Sequence, residues 1–264
     1  MTIGIAGTGR VAQALGRHMG AKLIGGRSPD HARAAAAFIG HARAVSLEEL
    51  VCDRLIIAVS DRAIKDVAAR VPPPRIALHT CGAQDAELLD DLRKAGSSCG
   101  AFHPLQTFAS AESGFAALPG SAFALDGDPE ALQWAAEIVD SLHGIILRVP
   151  GSARALYHAA AVLASNDVVA TLDAAIQIFR HIGIPEPDAR RALAPIALGA
   201  LENTLANGAE AALTGPVERN DFETVNQHLE ALRALPPEIQ DLYRAAAAQA
   251  FQIAMRRKNL HARA

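Results

Sequence analysis

The run Gly4-Ile5-Ala6-Gly7-Thr8-Gly9-Arg10-Val11-Ala12 sets G-x-G-x-x-A between a short apolar stretch and a helical pattern. Glycine at 7 permits a tight turn, glycine at 9 lets backbone approach a pyrophosphate, and alanine at 12 keeps helix and strand close. The first N–H groups of the helix are then free to meet an anion. Glycine-rich loops are common, but this one follows a strand and opens a helix, the context that dinucleotide binding requires. Gly7, Thr8, Gly9, Arg10 and Val11 are therefore expected to hold a dinucleotide. An NAD site would carry Asp or Glu about 20 residues further on to hold the ribose diol. The chain reads Gly25-Gly26-Arg27-Ser28 there instead. Arg27 can pair with a 2′-phosphate and Ser28 can donate a further hydrogen bond, although Ser28 also suits a helix N-cap ahead of Pro29. NADP is thus expected in preference to NAD. Ser60 and Asp61, at the end of a later strand, should line the same crevice.

A second group of residues could do proton chemistry. His79-Thr80-Cys81-Gly82 and Phe102-His103-Pro104-Leu105-Gln106-Thr107-Phe108 both fall at the C-terminal ends of apolar runs, the edge where an open α/β sheet binds ligands. Cys81 and Gly82 are grouped with the cofactor-binding residues. Either histidine could equally be a satisfied core residue. Cys81 has no base or basic neighbour in the sequence to make it a nucleophile. Further on comes Tyr157-His158-Ala159-Ala160-Ala161-Val162-Leu163-Ala164-Ser165-Asn166. If this stretch is one helix, His158 and Ser165 share a face to within ~20°, with Asn166 about 80° round from Ser165. Polar groups on an apolar helix need partners, so they mark either a buried network or a ligand pocket. Arg219 could clamp a carboxylate or simply pair with Asp221 in its own loop. The ten histidines include no metal-ligand spacing, and no metal site is expected.

These residues need a scaffold, and the pattern supplies one. Thr2-Ala6, Lys22-Gly25, Asp53-Val59, Arg75-Thr80, Ser98-His103, Ser121-Leu125 and Gly144-Val149 read as strands. Helical patterns at Val11-Met19, Pro29-Ile39, Ala63-Val71 and Asp85-Ala95 lie between them, and a further helix opens at Asp128-Pro129. Gly114-Gly120 reads as a loop. Such alternation specifies an α/β domain with a mostly parallel Rossmann-type sheet. After Pro150-Gly151 the strand signal ends. Arg154-Ile182 reads as one long helix, too apolar all round for a surface helix, and helices near Asp188-Asn207, Asp221-Leu235 and Pro237-Lys258 follow. The expected organisation is a dinucleotide-binding domain over residues 1–150 and an all-α domain over 151–264.

Composition excludes other classes. Of 264 residues, 50% are apolar and 20% charged, enough for a large core and incompatible with disorder. The formal net charge of −3 offers no field for a phosphate backbone, so nucleic acid is not an expected partner. Arg256-Arg257-Lys258, the one basic run, reads as a solvated helix end. No basic region precedes the first apolar stretch, and no apolar run is read as reaching the ~20 residues that span a bilayer, so no membrane partner is expected. Cys52, Cys81 and Cys99 are odd in number and lack C-x-x-C spacing, which fits a reducing cytoplasm.

The motifs together resemble a bacterial family. G-x-G-x-x-A at the start, H-T-C-G, H-P-L-Q-T-F, Y-H-A-A-A-V-x-A-S-N and Thr214-Gly215-Pro216-Val217-Glu218-Arg219-Asn220-Asp221 are similar to proteins with a Rossmann-like N-terminal domain and an all-α DUF2520 domain. That group resembles 6-phosphogluconate dehydrogenase, β-hydroxyacid dehydrogenases, pyrroline-5-carboxylate reductase and ketopantoate reductase. The resemblance covers nearly the whole chain. It implies an NADP-binding reductase that forms a homodimer through its helical half. The family usually reads H-T-S-G and R-G-D where this chain has Cys81 and Asn220; losing that glycine would reshape the turn beside Arg219. The relatives' catalytic lysine on the first interdomain helix is also missing, since the lysines are Lys22, Lys65, Lys94 and Lys258. His158 is the expected proton donor in its place, with Tyr157 second, and His103, Ser165 and Asn166 completing the site. Tyr157 and Arg219 are the expected substrate-binding residues. The implied function is reduction of a C=O or C=N bond in a small anionic metabolite; the alternative is a non-catalytic NADP-binding sensor or assembly module.

Overall fold

The computed structural model describes residues 1–261. It divides into two compact units, Met1–Ser165 and Asn166–Ala264. The division falls beyond residue 150, where the strand pattern ends, because the first turns of the following helix pack with the sheet.

In the first unit the elements alternate: β1 (Ile3–Ala6), α1 (Arg10–His18), β2 (Leu23–Gly25), α2 (Pro29–Ile39), β3 (Arg43–Val45), β4 (Arg54–Ile57), α3 (Ile64–Ala68), β5 (Ile76–His79), α4 (Asp90–Lys94), β6 (Ser98–Leu105), α5 (Ala111–Ala117), β7 (Ala122–Gly127), α6 (Pro129–Ser141), β8 (Ile145–Arg148) and α7 (Arg154–Ala164). The eight strands form one sheet in the order β3-β2-β1-β4-β5-β6-β7-β8. Every neighbouring pair is parallel except β6 and β7, where His103 lies opposite Ala124. Strand order reverses between β1 and β4, which opens the crevice at the carboxyl ends of the strands. One buried cluster, including Ile5, Leu15, Ile24, Ile39 and Phe102, lies under α1, α2 and α6. The other, including Leu55, Ile57, Leu88 and Cys99, lies under α3 and α4. A parallel sheet covered on both faces explains why its strands are near-continuous apolar runs rather than alternating ones.

Several expectations are corrected. β3 escaped the sequence reading, being three residues long and only one of them buried. Residues 114–117, read as loop, belong to α5, which Ser110 and Ser113 hold in a reciprocal capping box. Gly114 sits in that helix because Phe108 packs on it; a Cβ there would lie 2.3 Å from the ring. The Arg154-Ile182 segment is not one helix. Ser165 leaves helical geometry (φ −130°, ψ −75°), which separates α7 from α8 (Asn166–His181). Gly151–His181 nevertheless has the length and hydropathy of a membrane span (mean hydropathy 1.4), contrary to the sequence reading. Length and composition alone carry that likeness, and Arg154, His158, Asp167 and Asp173 interrupt it.

The second unit continues with α9 (Glu186–Asn207), α10 (Ala209–Ala212), α11 (Phe222–Ala231) and α12 (Pro237–His261). Its small buried cluster is Ala174, Leu232 and Ile239, with Ile178, Leu235, Leu242 and Tyr243 packed around it. The basic run is not simply solvated: Arg256 pairs with Glu210, Arg257 with Glu218, and Lys258 donates to Asn220 Oδ1 at 2.9 Å. Asn220 adopts φ +59°, so it keeps the left-handed turn that glycine would occupy. Asparagine tolerates that conformation better than most residues.

Candidate functional site

A cavity of about 1000 Å³ lies over the crevice, lined by Gly7, Thr8, Gly9, Arg10, Val11, Arg27, Ser28 and Ser60. All eight are residues that the sequence assigned to a nucleotide. Gly7, at φ +128°, abuts the Ala58 carbonyl, where a Cβ would come within 2.1 Å. A Cβ on Gly9 would meet nothing within 4 Å, so that backbone faces open crevice. No side chain caps the first turn of α1, and no acidic residue falls in it. Ser28 caps α2 by accepting from the His31 N–H at 3.4 Å, so it serves the helix while it lines the cavity. The lining also includes His31, Thr80 and Phe108, to which the sequence assigned no role. No Asp or Glu is among the described lining residues. Open space at Gly9, free helix N–H groups and this donor set fit a dinucleotide with an extra phosphate.

Three cofactor assignments fall outside the lining. Asp61 begins a short 3₁₀ turn beside Ser60 and is exposed. Cys81 is 1% exposed within the apolar core, and its backbone carbonyl accepts from Arg154. Burial raises the pKa of its thiol, as it does at Cys52 and Cys99, both pushed up to about 11. Gly82 is a spacer. A Cβ there would stand 2.6 Å from His158 Nδ1 and 2.8 Å from His103 Nε2, so the two imidazoles close over its α-carbon.

This packing builds a cluster two residues beyond Thr80. His103 Nδ1 and the Tyr157 hydroxyl are 2.9 Å apart. The His103 and His158 rings stand edge to face with centroids 5.6 Å apart. His158 Nδ1 is shut off from solvent and has no partner among the described residues. His79, fully buried, donates from Nε2 to the Asp85 carbonyl at 2.7 Å and accepts at Nδ1 from the Cys81 N–H at 3.2 Å. It is a satisfied core histidine. Burial holds His79 down to about 4. Burial, followed by His158, Arg154 and His79, does the same for His103. Both rings are therefore neutral at physiological pH, each able to donate at one nitrogen and accept at the other.

Ser165 closes the first unit, its hydroxyl donating to the Ala161 carbonyl at 2.7 Å. Because it has left the helix, the seven-residue spacing no longer puts it on a face with His158. Asn166 and Arg219 belong to the second unit. There Asp221 caps α11, and the Thr224 hydroxyl and N–H hold its carboxyl below the usual range, with Arg219 adding attraction. Arg154, fully buried at the start of α7, is the participant that the sequence reading missed. Its signal was the i, i+3, i+4 spacing of Arg154, Tyr157 and His158, which sets all three on one helix face.

Residues 121–250 match the family described as domain of unknown function DUF2520. Residues 2–78 match a family described as NADP oxidoreductase, coenzyme F420-dependent. No curated protein matches the chain. Among solved structures, a Thermotoga maritima protein is similar at 25% identity and TM-score 0.78, over 97% of this chain and all of that one. A Bacteroides fragilis protein assigned as an NADP oxidoreductase is similar at 18% identity and TM-score 0.77, covering 95% of this chain and 98% of its own. The Plasmodium falciparum pyrroline carboxylate reductase with NADP bound shares the fold at 13% identity and TM-score 0.63, covering 96% and 98%. The chain thus carries a region similar to NADP oxidoreductases over the glycine-loop crevice, followed by a DUF2520 domain that runs from the end of the sheet into the helices, on a Rossmann-type fold.

Proposed function

We propose that the protein is an NADP-dependent oxidoreductase that reduces a C=O or C=N bond of a small anionic metabolite, a ketopantoate-like 2-keto acid or a cyclic imine. The carrying observation is a nucleotide crevice whose lining includes Arg27, Ser28 and His31 but no carboxylate, beside a cluster of neutral proton-bearing groups. Arg27 pairs with a 2′-phosphate, and the start of α1 receives the pyrophosphate. The nicotinamide nucleotide supplies the two-electron chemistry when bound. The chain's own contribution is a positioned proton from the group formed by His103, Tyr157 and His158. A family match named for NADP and a fold neighbour with NADP bound support the cofactor. The protein works in the cytoplasm as a homodimer joined through its helical unit.

Thermal denaturation with each nucleotide tests the cofactor. Ligand at 100 times its Kd adds about 2.7 kcal/mol, so NADPH raises Tm at concentrations where NADH does not. Arg27→Asp removes that preference. Equal shifts with both nucleotides in the wild type would overturn the assignment. Substrate-dependent NADPH oxidation across 2-keto acids and cyclic imines tests the reaction. NADPH binding without any such turnover would favour a non-catalytic sensor or assembly module.

A further inference from the structure

Arg154 is 0% exposed. Its Nη2 donates to the Cys81 carbonyl at 3.1 Å, while Nε and Nη1 are sealed from solvent with no partner among the described residues. Asp126 and Asp85 attract it through space. An unpaired buried donor is costly, and buried charges are ordinarily paired. An apolar side chain would fill the space at lower cost. The charge therefore calls for a role, and its neighbours on the same helix face are Tyr157 and His158.

We propose that Arg154 is a positioning residue whose buried charge adds to burial in keeping the His103–Tyr157 pair in its neutral imidazole–phenol form and supports the phenolate, so that Tyr157 is the proton donor. This rests on reading the cluster as the proton source of a reductase. The groups around His103 are Arg154, Tyr157 and His158 from α7 and His79 from β5. A proton on His103 would set a second cation among groups that include no contacting carboxylate. With His103 neutral, its Nδ1–H donates to the phenol oxygen and leaves the phenol hydrogen free. That proton passes to the reduced oxygen or nitrogen of the substrate. The O–H electron pair stays on the phenol oxygen, stabilised by His103 and Arg154, until water restores the proton. Burial raises the pKa of Tyr157 and Arg154 opposes the rise, the sense that a donor requires.

The test is a titration made without nucleotide or substrate. Tyr157 and Tyr243 are the only tyrosines, so in a Tyr243→Phe background the phenolate absorbance reports Tyr157 alone. The His103 midpoint comes from imidazole NMR. In Arg154→Met both midpoints move upward, and Arg154→Lys brings both back towards wild type. Unmoved midpoints in Arg154→Met, or no recovery with lysine, would overturn the proposal and leave Arg154 a structural residue. If Arg154→Met does not fold, Arg154→Gln takes its place, with the same outcomes deciding. With a substrate in hand, Tyr157→Phe loses about 10²–10⁴-fold in turnover, and retention of full turnover would refute Tyr157 as donor. Shifted midpoints in a protein without reductase activity would sink the functional reading alone. Unmoved midpoints in an active reductase would sink only the role of Arg154.

Discussion

His79 and His103 tie the site to stability. Both are held near about 4, while an unfolded histidine titrates near 6.5. Between those values the unfolded chain binds protons that the folded chain refuses, so stability is full above about 6.5 and falls as pH drops towards 4. The carboxylates Glu48, Glu49 and Asp221 have lowered values, so their share is lost only at still lower pH. A fall in Tm between about pH 7.5 and pH 5 therefore reports the histidines, with a combined loss of a few kcal/mol. His103→Gln reduces that dependence. A Tm constant across the interval would show that the two rings are not held neutral.

At the scale of elements, the two glycines of the first loop serve different ends. Gly7 holds a positive φ and touches the Ala58 carbonyl, so Gly7→Ala is both strained and blocked by backbone. The expected cost is about 3 kcal/mol or more. Gly9 is the N-cap of α1 with φ −75°, open to any residue, and its α-carbon faces empty crevice. Gly9→Ala therefore leaves Tm close to wild type while abolishing the NADPH-induced shift, because the methyl stands where the pyrophosphate must approach. Equal loss of fold in both variants would contradict this division. The contrast was visible in the sequence as a motif, but which glycine serves the turn and which the ligand depends on the strand across the crevice.

For the whole molecule, the second unit buries few large apolar side chains and leaves others in water. Ile196 is 71% and Leu205 86% exposed along α9, with Val169 and Ile182 open on and just beyond α8. Isolated exposed apolar residues are ordinary, whereas a run of them on adjoining helices marks an interface. Homodimerisation through this unit is the expected outcome, with a self-complementary face as two-fold symmetry requires. Light scattering at micromolar concentration should give twice the chain mass, and Ile196→Asp with Leu205→Asp should halve it. A wild-type monomer would refute the expectation.

The sequence by itself determined the nucleotide end of this protein. A tight turn, a close backbone approach and arginine in place of an acid are demands met within a few neighbouring residues, so G-x-G-x-x-A and Arg27-Ser28 carry them in plain view. The strand and helix alternation was legible for the same reason, since periodicity is local. The proton-bearing cluster was legible only through the family resemblance, which already grouped His103, Tyr157 and His158 in one site; that these three touch, and that Arg154 joins them, was not. His103 meets Tyr157 across 54 positions, and Arg154 reaches the Cys81 carbonyl across 73. The break at Ser165 removed the helical face on which the serine had been matched with His158. Contacts of that range depend on how strands and helices stack, which no local pattern encodes, and so tertiary structure alone decided that a buried arginine lies beside the histidines.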